Sequence, residues 1–306
     1  MIETENLTRT FGEVTAVEGL TLRVGEGEVF GFLGPNGAGK TTTIRMLACL
    51  ISKTSGAARI EEYDIGSPED TQKIRKIIGL VPDNVGLYED LSAYRNLDFY
   101  GRLYECTEAQ RSERIEHFLK MLGLWDVRDR AVRTFSKGMK QKLAIVRALI
   151  HDPQILFLDE PTANLDPEFQ KTVRDFILEL KQEKRTIFLN THNLDEAQRI
   201  CDRIGILNTR LVAEGTPEQL MESLEGRKTE VQLQQVTPAI TAAVERLGLN
   251  YVVINSSKLV IGVSDPEQEN PGIVEAVVAA GGRIQFIAEK HATLEEVYLK
   301  LVRDGQ

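Results

Sequence analysis

The scarcities in this chain narrow its class before any motif is read. Only three cysteines, Cys49, Cys106 and Cys201, occur in 306 residues. Their odd number and wide spacing suggest neither a disulfide framework nor a zinc knuckle, so a reducing cytoplasm is the simplest home. The start, Met1-Ile2-Glu3-Thr4-Glu5, lacks the basic and apolar regions of a signal peptide. No stretch approaches the ~18 apolar residues of a membrane span, so any membrane role is expected to come through a partner. Excess basic charge is missing too. The net charge of -9 disfavours a sequence-independent grip on nucleic acid. Three of the four histidines, His117, His151 and His291, fall in helical or loop contexts with no partner spacing. Internal repeats and low-complexity tracts are absent.

What is present is an ordinary globular composition, 42% hydrophobic and 27% charged, in a chain long enough for about two domains with separate cores. Residues 2 to about 33 read as short strands with turns at Phe11-Gly12 and Gly25-Glu26-Gly27. A helical stretch interrupts an α/β core at residues 85–150, where Ile115, Phe118, Leu119 and Leu122 share one face. The core resumes with the strand Ile155 to Leu158, a helix near Glu168 to Gln182 and the strand Thr186 to Leu189. Thr216-Pro217-Glu218-Gln219 starts a short helix that leads to a polar segment. We therefore expect a first domain over 1–222, a linker at 223–228 and a second domain over 229–306. In the second, a strand Glu230 to Gln234 is followed by a helix capped at Thr237-Pro238. A hairpin turns around Asn255 to Lys258, a helix opens at Asn270-Pro271, and the strand Ile284 to Ala288 follows. A last helix has the capping box Thr293-Leu294-Glu295-Glu296. The order βαββαβ matches a small ferredoxin-like α+β unit.

Gly34-Pro35-Asn36-Gly37-Ala38-Gly39-Lys40-Thr41-Thr42 fits G-x-x-x-x-G-K-[ST] between the strand-like run Glu28 to Leu33 and a helical run Thr42 to Leu50. Glycines let backbone amides turn toward phosphate oxygens, and the positive end of the helix dipole adds to their field. Lys40 would reach the β- and γ-phosphates, and the Thr41 hydroxyl would ligate Mg²⁺. A glycine-rich turn without ligand is the plainer alternative, and the flanking elements weigh against it. The strand Ile155 to Leu158 delivers Asp159 and Glu160 to the carboxyl edge of the sheet, where phosphates should lie. Asp159 would hold Mg²⁺, directly or through water, and Glu160 would orient and deprotonate the attacking water. Acidic residues after a strand can also simply cap the next helix.

Three further segments narrow the class: Phe135-Ser136-Lys137-Gly138-Met139-Lys140-Gln141-Lys142, Pro161-Thr162-Ala163-Asn164-Leu165-Asp166-Pro167, and Asn190-Thr191-His192. Together with the phosphate loop they resemble the nucleotide-binding subunit of ABC transporters over residues 2 to 220. The resemblance implies a P-loop ATPase core with a helical subdomain, binding ATP and Mg²⁺ and forming a head-to-tail homodimer. Ser136 and Gly138 match the signature segment that would touch the γ-phosphate of the partner's site. Ala163 to Asp166 match the D-loop, and His192 the switch histidine. Phe11 takes the place of the aromatic that stacks on adenine, although it could equally pack a strand end. Ser136-Lys137-Gly138 alone reads as an ordinary helix cap.

The departures are informative. Asp83 stands where the family usually has glutamine. It offers an oxygen to Mg²⁺ but brings a negative charge beside the phosphates. Phe135, Lys137 and Met139 replace the commoner Leu, Gly and Gln. Asn84 to Asn96, with Tyr88 and Leu91, would line the groove for a transmembrane subunit. The signature and the small carboxyl-terminal domain resemble export-type ABC-2 systems. The implied protein is cytoplasmic and peripheral on the inner face of the cell membrane. Alternatives are a soluble ABC ATPase acting on ribosomes or DNA, and a low-turnover ATP-binding regulatory module.

Overall fold

The computed structural model describes residues 1–83, 86–163, 165–223, 227–290 and 293–304. Contacts divide the chain into two units, Met1–Thr216 with the tail from Leu301, and Pro217–Lys300. The division falls before the short helix at Pro217, not after it as the polar composition predicts. Three linker residues, 224–226, lie outside the described residues.

The first unit opens with β1 (Ile2–Phe11) and β2 (Val14–Val24). These are long antiparallel partners instead of the short strands expected, paired from Ile2↔Val24 to Phe11↔Val14 with shifts of register that let the two stay together. There follow β3 (Val29–Leu33), α1 (Lys40–Leu47), β4 (Ser55–Ile60), β5 (Tyr63–Asp64), α2 (Pro68–Ile77) and β6 (Ile78–Val81). The helical stretch is α3 (Ala93–Leu103), α4 (Glu108–Met121) and α5 (Lys137–Leu149). The core then resumes with β7 (Ile155–Asp159), α6 (Pro167–Gln182), β8 (Thr186–Asn190), α7 (Leu194–Ile200), β9 (Arg203–Asn208) and β10 (Arg210–Gly215).

Two sheets result. One is antiparallel, in the order β2-β1-β4-β5; the other has the order β10-β9-β3-β8-β7-β6 and is parallel except at β10. The central strands β3, β7 and β8 are buried at every residue, which explains their unbroken apolar runs: helices cover both faces of a parallel sheet. Phe30, Phe32 and Phe188 meet with ring centroids 5.0–5.4 Å apart, and Phe157 joins at 5.8 Å. Truncating one such ring, as in Phe32→Ala, should cost about 3–5 kcal/mol. This rigid centre places the carboxyl ends of β3, β7 and β8 side by side.

The second unit contains α8 (Pro217–Ser223), β11 (Arg227–Leu233), α9 (Pro238–Arg246), β12 (Tyr251–Asn255), β13 (Lys258–Val263), α10 (Pro266–Ala279), β14 (Ile284–Lys290) and, as far as Lys300, α11 (Leu294–Asp304). Its strands form an antiparallel sheet in the order β12-β13-β11-β14. Val231, Leu259 and Ile261 of the sheet pack with Ile240, Val244, Ile273 and Val277 of α9 and α10 in a core of their own. The α10 start is a correction. The helix begins at Pro266, where Asp265 accepts from the amides of Glu267 and Gln268, and Pro271 lies inside it. Asp265-Pro266 supplies both the cap and the fixed φ that the Asn270-Pro271 reading sought. The capping box at Thr293 forms as expected: Glu296 N donates to Thr293 Oγ1 at 3.2 Å, and Thr293 N donates to Glu296 Oε2 at 2.9 Å.

Candidate active site

The loop from Gly34 to Gly39 leaves the end of β3 and enters α1, two residues earlier than the sequence pattern suggests. Its shape requires glycine at three places, one of them Gly37 with φ 84. A Cβ on Gly34 would run into the Leu207 carbonyl oxygen, and Gly39 has φ 99 while a Cβ there would meet the Ala16 carbonyl. Around them, Ala38 N donates to Pro35 O at 3.2 Å, and Thr209 N donates to Ala38 O at 2.9 Å. Asn36 and Gly37 make the exposed rim beside a half-buried Pro35, and Thr42 lies in the first turn of α1. Lys40 folds back over this loop, with Nζ donating to Gly34 O at 2.6 Å and to Pro35 O at 3.1 Å. Burial pulls its pKa below the ordinary lysine value, while the charges of Glu160 and Asp159 oppose that shift.

The ends of β7 and β8 bring the expected acidic groups opposite the loop. Thr41 Oγ1 donates to Asp159 Oδ1 at 3.2 Å, and Asn190 Nδ2 donates to the same oxygen at 3.0 Å. Glu160 has a left-handed φ of 53, which a non-glycine residue adopts at a cost and which commonly marks functional turns. Its amide is held by Asn190 O at 2.9 Å. Its carboxylate meets His192, with Nδ1 2.7 Å from Oε2. The Glu160 side chain is 19% exposed and that of His192 64%, so an acid and an imidazole stand in contact at a water-accessible edge.

Behind them lies a group that the sequence pattern did not single out. Glu196 is 1% exposed and accepts from Thr191 Oγ1 at 2.6 Å, while the Thr191 oxygen takes a hydrogen from Asn193 N at 3.0 Å. Burial raises the Glu196 pKa above the ordinary carboxylate value, and its hydrogen bond to Thr191 opposes that shift only partly. An acid on the apolar face of a helix, beside Ala197 and Ile200, was the available signal. Asn190 was likewise visible only as a polar residue ending an apolar strand.

The remaining predicted residues take different places. Ser136 caps α5, its Oγ accepting from Met139 N at 3.2 Å, as the plainer reading has it. Gly138 is buried beneath Phe169, whose ring a Cβ would approach to 2.9 Å. Phe11 is 45% exposed, and the Arg9 guanidinium stands 4.3 Å from its ring centroid. Asp83 Oδ1 is 3.7 Å from Arg45 Nη2 on half-exposed surface. Asn84 and Asn164, from the expected docking and D-loop segments, and His291 lie outside the described residues. The described part of the docking segment is held by Asn96, whose side chain exchanges 2.9 Å bonds with both backbone groups of Tyr88. Tyr88 packs edge-on against Phe99 at 5.1 Å, and both rings are exposed. His151 stacks on Tyr104 at 3.8 Å. Burial drives its pKa down to about 4. Cys49, Cys106 and Cys201 are free.

A glycine-shaped loop, an inward lysine, and hydroxyl and carboxylate groups at adjoining strand ends define a P-loop nucleotidase. Comparison with known proteins narrows the class. Residues 17–163 match the ABC transporter family. The linearmycin resistance ATP-binding protein LnrL of Bacillus subtilis is 33% identical, over 98% of this chain and 98% of that protein. The daunorubicin/doxorubicin resistance ATP-binding protein DrrA of Streptomyces peucetius is 36% identical, over 98% and 92% respectively. The dimeric ATP-binding cassette MJ0796, solved bound to ADP and Pi, superposes with a TM-score of 0.65 at 27% identity, covering 71% of this chain and 98% of its own. This chain belongs to the ATP-binding proteins of ABC transporters: it is an ATP-binding, ATP-hydrolysing subunit that works with a membrane partner. Among the described residues no helix is long and apolar enough to cross a membrane.

Proposed function

We propose that this chain powers export through a membrane subunit by hydrolysing ATP between two copies of itself, docked on the inner face of the cell membrane. The contact that carries the reading is the 2.7 Å pair of Glu160 and His192, set at the sheet edge that also holds Lys40, Thr41 and Asp159. In this reading the loop amides from Gly34 to Thr42 and the Lys40 ammonium hold the phosphates. Glu160 orients and deprotonates the attacking water, and His192 fixes the orientation of that carboxylate.

Thr41 and Asp159 suit Mg²⁺, since a hydroxyl and a carboxylate from separate elements already meet at 3.2 Å and offer hard oxygen donors. The cation would neutralise phosphate charge there. Asp83 would add a further oxygen at the edge of that site. Phe11 would stack on the base. Ser136 and Gly138 would close the site of a second copy, consistent with the solved dimeric relative. The exposed Tyr88–Phe99 pair would receive the membrane subunit.

Export, not import, is supported by the two resistance proteins that match along nearly the whole chain and by a Nod factor export ATP-binding protein of Cupriavidus metallidurans, 34% identical over 98% of this chain. Phosphate release by the purified chain, alone and with the membrane protein that copurifies with it, tests the reading. Turnover that rises with the partner and vanishes in Glu160→Gln supports it. Turnover indifferent to both changes overturns it.

A further inference from the structure

The carboxylate cluster contains a buried group with an unused end. Asn190 closes β8 and is fully buried. Its backbone is fixed from both sides, opposite Phe32 of β3 and Asp159 of β7. Its side chain therefore emerges between the strand that feeds the phosphate loop and the strand that ends in the metal-site acid. The Nδ2 end donates to Asp159 Oδ1 at 3.0 Å, the oxygen that also accepts from Thr41 at 3.2 Å. The Oδ1 end of the same planar amide is shielded from solvent, with no hydrogen-bond partner among the described residues.

A valine or leucine would fill this position without leaving a polar atom unpaired. A buried carbonyl that lacks a donor is costly, and such atoms in native proteins call for a partner outside the chain. Of the donors at this sheet edge, Thr41 is turned to Asp159 and Lys40 spends two of its three N–H bonds on the carbonyls of Gly34 and Pro35, and no bond from either to Asn190 forms. The species that brings hydrogens to a hydroxyl–carboxylate site is a hard cation with its water, since Mg²⁺ gives up its hydration shell reluctantly.

We infer that Asn190 is a positioning residue for the cation: its N–H holds one oxygen of Asp159, leaving the other for the metal, and its Oδ1 accepts a hydrogen from water in the cation's shell. This rests on the proposed roles of Thr41 and Asp159. Groups that orient metal ligands in this way change metal affinity by about 10- to 100-fold when removed.

The test uses the full chain and a fluorescent ATP analogue, titrated in EDTA and then across a Mg²⁺ series. For Asn190→Leu the affinity in EDTA should stay within about twofold of wild type, while the Mg²⁺ concentration at half-saturation rises by about tenfold or more. Asn190→Ser, which cannot overpack the site, carries the same expectation if the leucine variant does not fold. An unchanged Mg²⁺ requirement overturns the inference. So does an equal fall in affinity with and without metal, which would make Asn190 a support of the phosphate loop alone. Wild-type protein that binds the analogue equally well in EDTA and Mg²⁺ would instead overturn the assignment of Thr41 and Asp159 on which it rests.

Discussion

Two segments of this chain carry the family's motifs, and they are built differently. At the ends of β3, β7 and β8, five side chains from separate elements already touch: Thr41 and Asn190 meet on Asp159, and Glu160 meets His192. At the start of α5, by contrast, Ser136 is occupied with its own helix and Gly138 is packed under Phe169. The first segment is preorganised and can position phosphate, cation and water within one chain. The second offers a shaped helix terminus whose chemistry needs something brought to it. A motif can thus be a complete site in one place and half of one in another, and the hydrogen bonds tell the two apart.

The largest effect should separate the two segments cleanly. Glu160→Gln is expected to lower phosphate release by about 10²- to 10⁴-fold while ATP binding, followed by fluorescence, persists. Turnover kept near wild type would remove Glu160 from the base role. Next, Ser136→Ala should lower turnover by about 10²- to 10³-fold, as when one hydrogen-bond donor to a developing oxyanion is taken away, yet leave nucleotide affinity at low protein concentration unchanged. Weakened binding by the dilute protein would place Ser136 in its own chain's site and break the comparison.

Asp83→Ala sharpens the boundary between them. If Asp83 reaches the cation, the variant should need several-fold more Mg²⁺ for the same turnover, as expected when a metal-site oxygen is removed; an identical Mg²⁺ curve would take Asp83 out of the cation site.

Stability should follow pH through two buried groups. His151 has its pKa depressed to about 4, so it contributes stability above the unfolded value near 6.5, and this is lost as pH falls toward 4. The drop is up to about 3 kcal/mol, and His151→Gln should flatten it in denaturant titrations at pH 7 and pH 4.5. Glu196 works in the opposite direction. Its folded pKa is raised, so its contribution is complete below the ordinary carboxylate range and is lost as pH rises through the folded value. Glu196→Gln keeps the acceptor for Thr191 and should be more stable than wild type at pH 8, the gain vanishing toward pH 4. A constant difference across that range would show that the carboxyl is already charged in the fold.

The cradle was legible from the amino-acid order because its chemistry is local. Nine consecutive residues specify a loop whose glycines tolerate close backbone approach, and the apolar runs on either side specify strand and helix. Asp159 and Glu160 were readable for a related reason: a fully apolar strand that stops at acids must present them at a sheet end. The start of α10 was misread where two Asp/Asn-Pro pairs compete, because choosing between them depends on which side chain finds the free amides.

Only the tertiary structure could pair Thr41 with Asp159 across 118 positions, or set Asn190 on Asp159 and His192 on Glu160 across 31 and 32. Those contacts depend on β3, β8 and β7 lying side by side in parallel, an order created by burial of both sheet faces and not by any local pattern. Hydrogen bonds reach about 3 Å, so a register shift of one residue in β7 or β8 would turn Asp159 or Asn190 to the other face.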